Sequence, residues 1–388
     1  MNTIKLTTAA LLSLLFFSIY SQEITTDFPG DNIRIDTIIN DSIRLQPDLR
    51  DTKQNWFYWY FGVKNAGGKT LTFQFTQKNV FSAKGPAVST DKGITWSWMG
   101  PCDSSFRYTF GSDQEVRFSV AMPYTEKDFD DFISLFNGMD KFRLDTLCIS
   151  EKGRAVERIL INEGAPEIKY KVLITARHHA CEMMASYVLE GMIETILTDK
   201  SLGWLRKNVA FMIIPFVDKD GVEDGDQGKA RRPHDHNRDY SGESLYATTA
   251  ALRKTVPEWT KGTTNIGIDL HCPYIIGNWN DVVYSVGKED SSYAQQQRIY
   301  IDKINKIKKP AYANYTFGFL PFGQSWNTAA SFTEGKSFGK WFGELPGTLL
   351  TTTFEFPYAE ASGMIVSQDA YREVGKSMAV ALQKYLKK

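Results

Sequence analysis

Five histidines occur in 388 residues, and all of them fall between positions 178 and 271: His178, His179, His234, His236 and His271. Such clustering invites a metal ion, since neutral imidazole is the commonest side-chain ligand for metals of the zinc type. His179-Ala-Cys-Glu182 stands where an apolar run, KVLITAR, gives way to a helical pattern. An imidazole and a carboxylate three residues on can converge there. A second apolar run, IGIDLHCPY, delivers His271 from a separate part of the chain. Two histidines and one glutamate leave a tetrahedral zinc ion with one open position for water, the catalytic rather than the structural pattern. His234 and His236, two apart in a loop, are rival ligands that lack a third partner nearby.

Two further stretches carry chemistry. PFVDKDGVEDGDQGKARRPHDHNRDY is too polar and too rich in glycine for a core element and reads as a functional loop. Its Arg231, Arg232, Asn237 and Arg238 suit a carboxylate, because the planar fork of a guanidinium matches two carboxylate oxygens. LLTTTFEFPYAEASG is a β-type run interrupted by Glu355. A carboxylate in so apolar a strand needs a partner or a shifted pKa, and both suit a catalytic base.

These side chains need a scaffold, and the chain divides into three stretches. Residues 1–21 place one Lys before an apolar run, the pattern of a secretory leader, which predicts export to a periplasm or beyond. Residues 22–122 are short β-type runs broken by turn residues, NWFYWYFGVKN, KTLTFQFTQ and EVRFSVAMPY among them, and predict an all-β antiparallel sandwich. From 123 to 388 a helix over TEKDFDDFISLFNGM, capped by Thr125, is followed by strand-like runs alternating with long helical ones. That alternation predicts an α/β domain with a parallel or mixed sheet, whose strand C-termini are where ligand sites collect.

Composition narrows the partners. Lys and Arg number 45, as do Asp and Glu, and no basic block with interleaved aromatics argues for nucleic acid. A peptide or small molecule fits better. No segment after the leader is apolar for the roughly 20 residues that a spanning helix needs. The four cysteines form no CxxC pair; in an oxidising compartment Cys102 with Cys148, or Cys181 with Cys272, are open pairings.

Taken in order, ARHHACE, VDKDGV, HDHNRDY, DLHCP and TTFEFPYAEASG resemble the motifs of the M14 zinc carboxypeptidases. WFYWYFGVKN and VAMPYTEKDF resemble segments of the cytosolic-carboxypeptidase-like branch, which carries a β-sandwich ahead of its catalytic domain. The resemblance implies a carboxypeptidase-type mixed sheet with helices on both faces. It implies one zinc ion per chain, held by His179, Glu182 and His271, with Glu355 taking a proton from the zinc-bound water. It gives oxyanion stabilisation to Arg231, with Arg232 as rival, and the substrate's terminal carboxylate to Asn237 and Arg238. Asp235 would orient His179.

Departures accompany the matches. Ala180-Cys181 stands for Pro-Gly, Asp218-Lys219 for Asn-Pro, and Arg231 lies closer to Asn237 than in that branch. No tyrosine lies between Phe317 and Leu350, where many members carry one that closes over the substrate, so Tyr358 and Trp326 are the substitutes. Lys336 and Lys340, upstream of Glu355, point to an acidic C-terminal residue as substrate. Rival readings are a cell-wall peptidase or amidase, an M14-like deacylase, and a binding module without activity. The intact residues His179, Glu182, His271 and Glu355 argue against the inactive module, and the Asn237-Arg238 pair with the preceding sandwich argues against the deacylase.

Overall fold

A computed structural model describes residues 22–112, 115–165 and 167–387; the expected leader lies outside them. Among these residues no helix is long and apolar enough to cross a membrane.

The N-terminal strands form two sheets. One has the order Glu23–Thr25, Tyr60–Lys64, Val116–Ser119, Ala87–Ser89, Ser97–Trp98, and the other Arg34–Ile39, Ser42–Gln46, Thr70–Phe75, Ser105–Thr109. Alternation drives the packing: Leu71, Phe73 and Phe75 are buried while Thr70, Thr72 and Gln74 are not. Aromatic rings from both sheets meet in one core, with centroids of Phe61 and Phe73 5.4 Å apart and of Phe106 and Phe118 5.2 Å apart. One pairing departs from the antiparallel expectation, since Ser42–Gln46 runs parallel to Thr70–Phe75.

Helix α1 (Glu126–Ile133) follows, with Thr125 as N-cap. The Asp128 carboxylate accepts from the Thr125 N–H at 2.8 Å and from its hydroxyl at 3.0 Å. A larger sheet has eight strands: β1 (Phe142–Ile149), β2 (Ala155–Ile161), β3 (Tyr170–Ala176), β4 (Val209–Ile214), β5 (Thr264–His271), β6 (Val283–Val286), β7 (Phe317–Leu320) and β8 (Thr348–Glu355). Their order is β1-β2-β4-β3-β5-β8-β6-β7. The centre, β4-β3-β5-β8, is parallel, and β1, β2 and β6 pair antiparallel at its flanks. Strands such as Val209–Ile214 are buried at every position, as parallel strands covered on both faces must be.

Helices α2 (Met184–Thr198), α4 (Ser291–Asn305) and α6 (Gln368–Leu386) share one core with Val172 and Ile174; α3 (Ala247–Thr260) and α5 (Phe338–Gly343) share the other with Leu173 and Met212. α2 and α6 touch through glycines. A Cβ on Gly191 would lie 1.9 Å from the Arg372 carbonyl oxygen, and one on Gly375 would lie 2.0 Å from that of Val188.

All four cysteines are free, so neither open pairing forms. Cys102 lies against Gly85 in the sandwich and Cys148 beside Thr248 of α3. Cys181 and Cys272 are buried as separate thiols, and burial pushes the pKa of each up.

Candidate active site

The parallel register sets the site. β5 and β8 pair so that His271 is the partner of Glu355, and Ala176 at the end of β3 is the partner of Leu270. His179 therefore lies in the turn leaving the neighbouring strand, at the same sheet edge. Arg177 braces that turn in the left-handed region at φ 59°. Its buried guanidinium donates to the Ala180 carbonyl (3.1 Å), the Tyr124 carbonyl (2.9 Å) and the Ser186 hydroxyl (3.1 Å).

Three side chains converge. His179 Nδ1 is 2.7 Å from Glu182 Oε1, His271 Nδ1 is 2.7 Å from Glu182 Oε2, and the two Nδ1 atoms are 3.2 Å apart. Their ligand atoms all lie within 4.8 Å of one another. The opposite ring nitrogens face carboxylates, His179 Nε2 at 3.1 Å from Asp235 Oδ1 and His271 Nε2 at 2.7 Å from Asp269 Oδ2. That arrangement holds each imidazole with its Nδ1 lone pair toward the shared centre, the orienting role carboxylates play behind metal-binding histidines. Two nitrogens, one carboxylate and an approach from the cleft suit zinc.

A second triad, His178, Asp269 and His271, is compact as well but already spent internally. His178 Nδ1 meets Asp269 Oδ1 at 2.8 Å, its Nε2 meets the Tyr240 hydroxyl at 2.8 Å, and Thr175 donates to Asp269 at 2.8 Å. This chain backs His271 and does not open to the cleft.

Electrostatics follow from burial and neighbours. Burial works against ionisation of Glu182, but His179, His271 and Lys229 outweigh it and hold its pKa below the ordinary value. Burial also opposes protonation of His271, and Asp269 and Glu182 outweigh that, so its pKa is raised. Glu355 is pushed up to about 7, by burial first and then by the Glu182 charge. Its Oε2 is buried without a hydrogen-bond partner. A carboxylate oxygen so placed beside a metal-type donor set is free to take a proton.

The cleft has a volume of about 640 Å³. Glu182, Glu355, Asp235 and Arg238 line it, with Lys229, and so do Trp326 and Tyr358, the two substitutes for a closing tyrosine. The sandwich adds Trp56 and Phe57, whose rings pack edge-on against Tyr274.

Not every expected residue reaches it. Arg231 is turned away: Nη2 donates to Asp218 Oδ2 at 2.5 Å and Nη1 to Asp226 Oδ2 at 2.9 Å, and it does not line the cleft. The oxyanion role given to Arg231 is therefore corrected, because three carboxylates, with Asp51 at 3.9 Å, hold it at the seam with the sandwich. Arg232 is exposed and off the cleft too. Asn237 stands behind His271: its amide nitrogen is 3.3 Å from His271 Nε2 and its amide oxygen accepts from the Phe338 N–H at 2.9 Å. Arg238 donates to the Asn237 and Ser331 carbonyls at 2.8 and 2.9 Å. His236 stacks on Tyr246 at 3.6 Å between centroids, away from the donor cluster, and His234 lies outside it as well. Lys336 is paired with Glu344 at 2.5 Å and faces no part of the cleft.

Asp269, Lys229 and Tyr284, whose hydroxyl accepts from the Trp326 N–H at 3.2 Å in the cleft wall, were missed. Asp269 had a signal, a carboxylate inside the apolar run IGIDLH, the same anomaly that marks Glu355. Lys229 and Tyr284 had none.

Residues 135–308 match the zinc carboxypeptidase family, Peptidase M14. The match takes in His179, Glu182 and His271 and stops short of Glu355. Cytosolic carboxypeptidase 6 of Caenorhabditis elegans is 26% identical over 87% of this chain and 81% of its own length. Cytosolic carboxypeptidase 2 of Danio rerio is 23% identical over 70% of this chain, which spans only 43% of that protein. A metallo-carboxypeptidase from Burkholderia cenocepacia shares the fold, with a TM-score of 0.77 at 18% identity, covering 95% of this chain and 99% of its own. The names of the relatives overturn the expectation of export, since they are cytosolic carboxypeptidases.

Proposed function

Since the chain belongs to the M14 zinc carboxypeptidases, in the cytosolic-carboxypeptidase-like branch, and is thus a peptide hydrolase, we propose that it removes the C-terminal residue of a peptide at the cleft built around His179, Glu182 and His271. The observation that carries this reading is the convergence of those three donors beside Glu355, whose Oε2 is buried and unpartnered.

His179, Glu182 and His271 hold the zinc ion, which when bound supplies Lewis acidity, lowering the pKa of water and polarising a carbonyl. Asp235 and Asp269 keep both imidazoles in the ligating tautomer. Glu355 takes the proton from the attacking water and returns it to the departing amine, the work of a general base and then acid near neutrality. Arg238 receives the substrate's terminal carboxylate at the cleft wall, which makes cleavage exopeptidic. Asn237 packs behind His271 and accepts from the Phe338 N–H through its amide oxygen. The sandwich, bounded from the catalytic domain at residues 122 and 123, supplies Trp56 and Phe57 as an apolar wall for the peptide. An acidic C-terminal residue is the finer proposal, resting on Lys340, which lines a cavity of about 410 Å³ together with Lys288 and with the carboxylates of Glu289, Asp290 and Glu344.

Metal content of the purified protein and release of amino acids from a mixed peptide library, for wild type and Glu355→Gln, test this. About one zinc in both is expected, with release by Glu355→Gln lowered roughly 10³-fold, within the range general acid–base catalysis supplies. Zinc with no release from any peptide would sink the reading, and release without acidic preference would remove the finer proposal alone.

A further inference from the structure

Two cations line the cleft beside the donor cluster, and we propose that one of them, Lys229, stabilises the oxyanion that forms on the scissile carbonyl. The proposal rests on the carboxypeptidase reading above and adds a catalytic residue to it. Lys229 Nζ lies 3.4 Å from His179 Nδ1 and 3.8 Å from Glu182 Oε1, and its side chain is 30% exposed at the cleft wall. Arg231, two residues on, is 11% exposed, and both of its terminal nitrogens are held by the carboxylates of Asp218 and Asp226.

The backbone beneath Lys229 is clamped on both sides. Toward the metal-binding turn, the Gln227 carbonyl accepts from the Cys181 N–H at 3.1 Å. Gly228 has φ +74°, and a Cβ there would sit 2.1 Å from Ala180 N, so only glycine lets the loop lie this close to His179. Toward the sandwich, the Asp51 carboxylate accepts from the N–H groups of Gln227 and Gly228 at 3.0 and 2.8 Å. Thr52 Oγ1 donates to the Lys229 carbonyl at 2.8 Å, and the Lys53 N–H donates to that of Ala230 at 3.1 Å. A donor that meets developing charge acts best when fixed beforehand, and this stem is fixed by two separate parts of the chain.

Charge sets where the flexible head goes. A divalent cation on the donor cluster and an ammonium are like charges, so the ammonium is favoured over the open cleft, where an anion develops. As the water oxygen bonds to the carbonyl carbon and Glu355 takes the water's proton, the C=O π electrons pass to the carbonyl oxygen. Lys229 donates a hydrogen bond to that oxygen. When the C–N bond breaks, those electrons re-form the carbonyl and the proton on Glu355 goes to the amine.

Lys229→Met and Lys229→Arg, compared with wild type in the zinc-loaded full chain, test this through four readouts: kcat, KM, zinc content, and affinity for a phosphonate peptide analogue against the free product amino acid. Lys229→Met is expected to lower kcat on the order of 10²–10³-fold, as loss of one oxyanion donor does, with KM changed less than about threefold. Phosphonate affinity should fall in step with kcat/KM while product affinity and zinc content hold, and Lys229→Arg should regain about tenfold or more of the loss. A Lys229→Met enzyme within about threefold of wild type in kcat overturns the proposal. So does loss of zinc or product binding equal to the loss of phosphonate binding, which would make Lys229 a structural cation. A wild type that cleaves no peptide overturns the underlying reading instead.

Discussion

In the sandwich, Trp59, Phe61, Phe73, Phe106 and Phe118 are buried among one another with hardly a polar atom between them; at the C-terminal edge of the catalytic sheet, equally buried positions carry Thr175, His178, Asp269, His271, Thr352 and Glu355. The phenylalanine rings carry no polar atom to desolvate, and the Trp59 N–H is bonded to the Val80 carbonyl, so the sandwich gains stability from burying them. Buried carboxylates and imidazoles are costly unless paired, and at the sheet edge nearly all are paired with each other. The exception is Glu355 Oε2. The contrast separates residues that hold the chain together from residues that hold something else.

Substitutions can break that contrast or sharpen it. Trp59→Ala deletes the largest ring of the sandwich core and also the donor to the Val80 carbonyl at 2.7 Å. A loss of about 3–5 kcal/mol in urea unfolding is expected, with little change in KM for the fraction that remains folded. Asp269→Asn should do the reverse. It takes the anion from between His178 and His271, so zinc affinity measured by chelator competition should fall roughly 10–100-fold. If unfolding free energy of the metal-free chain fell as far as in Trp59→Ala, the contrast would not hold.

The smallest effect lies at the seam between the two regions. The Asp31 carboxyl is pushed up to about 6 by burial, with Asp27 and Asp224 adding to the shift and Arg50 opposing it. Between its model-peptide value of 3.8 and about 6, the folded chain keeps a proton that the unfolded chain has released. This contribution to stability is complete below the lower value and disappears as pH rises through the upper one. Wild type should therefore lose Tm relative to Asp31→Asn between about pH 4 and 6; parallel Tm curves would refute the assignment.

Much of the site was legible in the residues themselves. His179, Glu182, His271 and Glu355 each interrupt or end an apolar run, and an ionisable group in such a place needs a reason. Asp269 sends the same signal from two residues before His271. Arg231 sends a false one, because a guanidinium in a polar loop looks available until its partners are known, and Asp51 lies 180 residues earlier in the chain. Lys229 sends none, since its placement comes from contacts with residues 51–53 and 179–181 that no local pattern encodes. The helix over Glu126–Ile133 was legible from its cap and its Phe spacing; the parallel pairing within the sandwich was not, because pairing direction depends on partners far apart in sequence.

The glycine contact between α2 and α6 limits how this chain can drift over generations. α2 begins two residues after Glu182, at Met184, and Gly191 lies seven residues further along it, about 10 Å at a rise of 1.5 Å per residue. Any side chain at 191 or 375 wedges the two backbones apart and carries the head of α2 with it. The outer surface of α6 can be rewritten at small cost to the ligand cluster. A single methyl group at this hidden crossing, well away from the cleft, forces the two backbones apart, so activity should fall in Gly191→Ala or Gly375→Ala although neither residue touches the cleft.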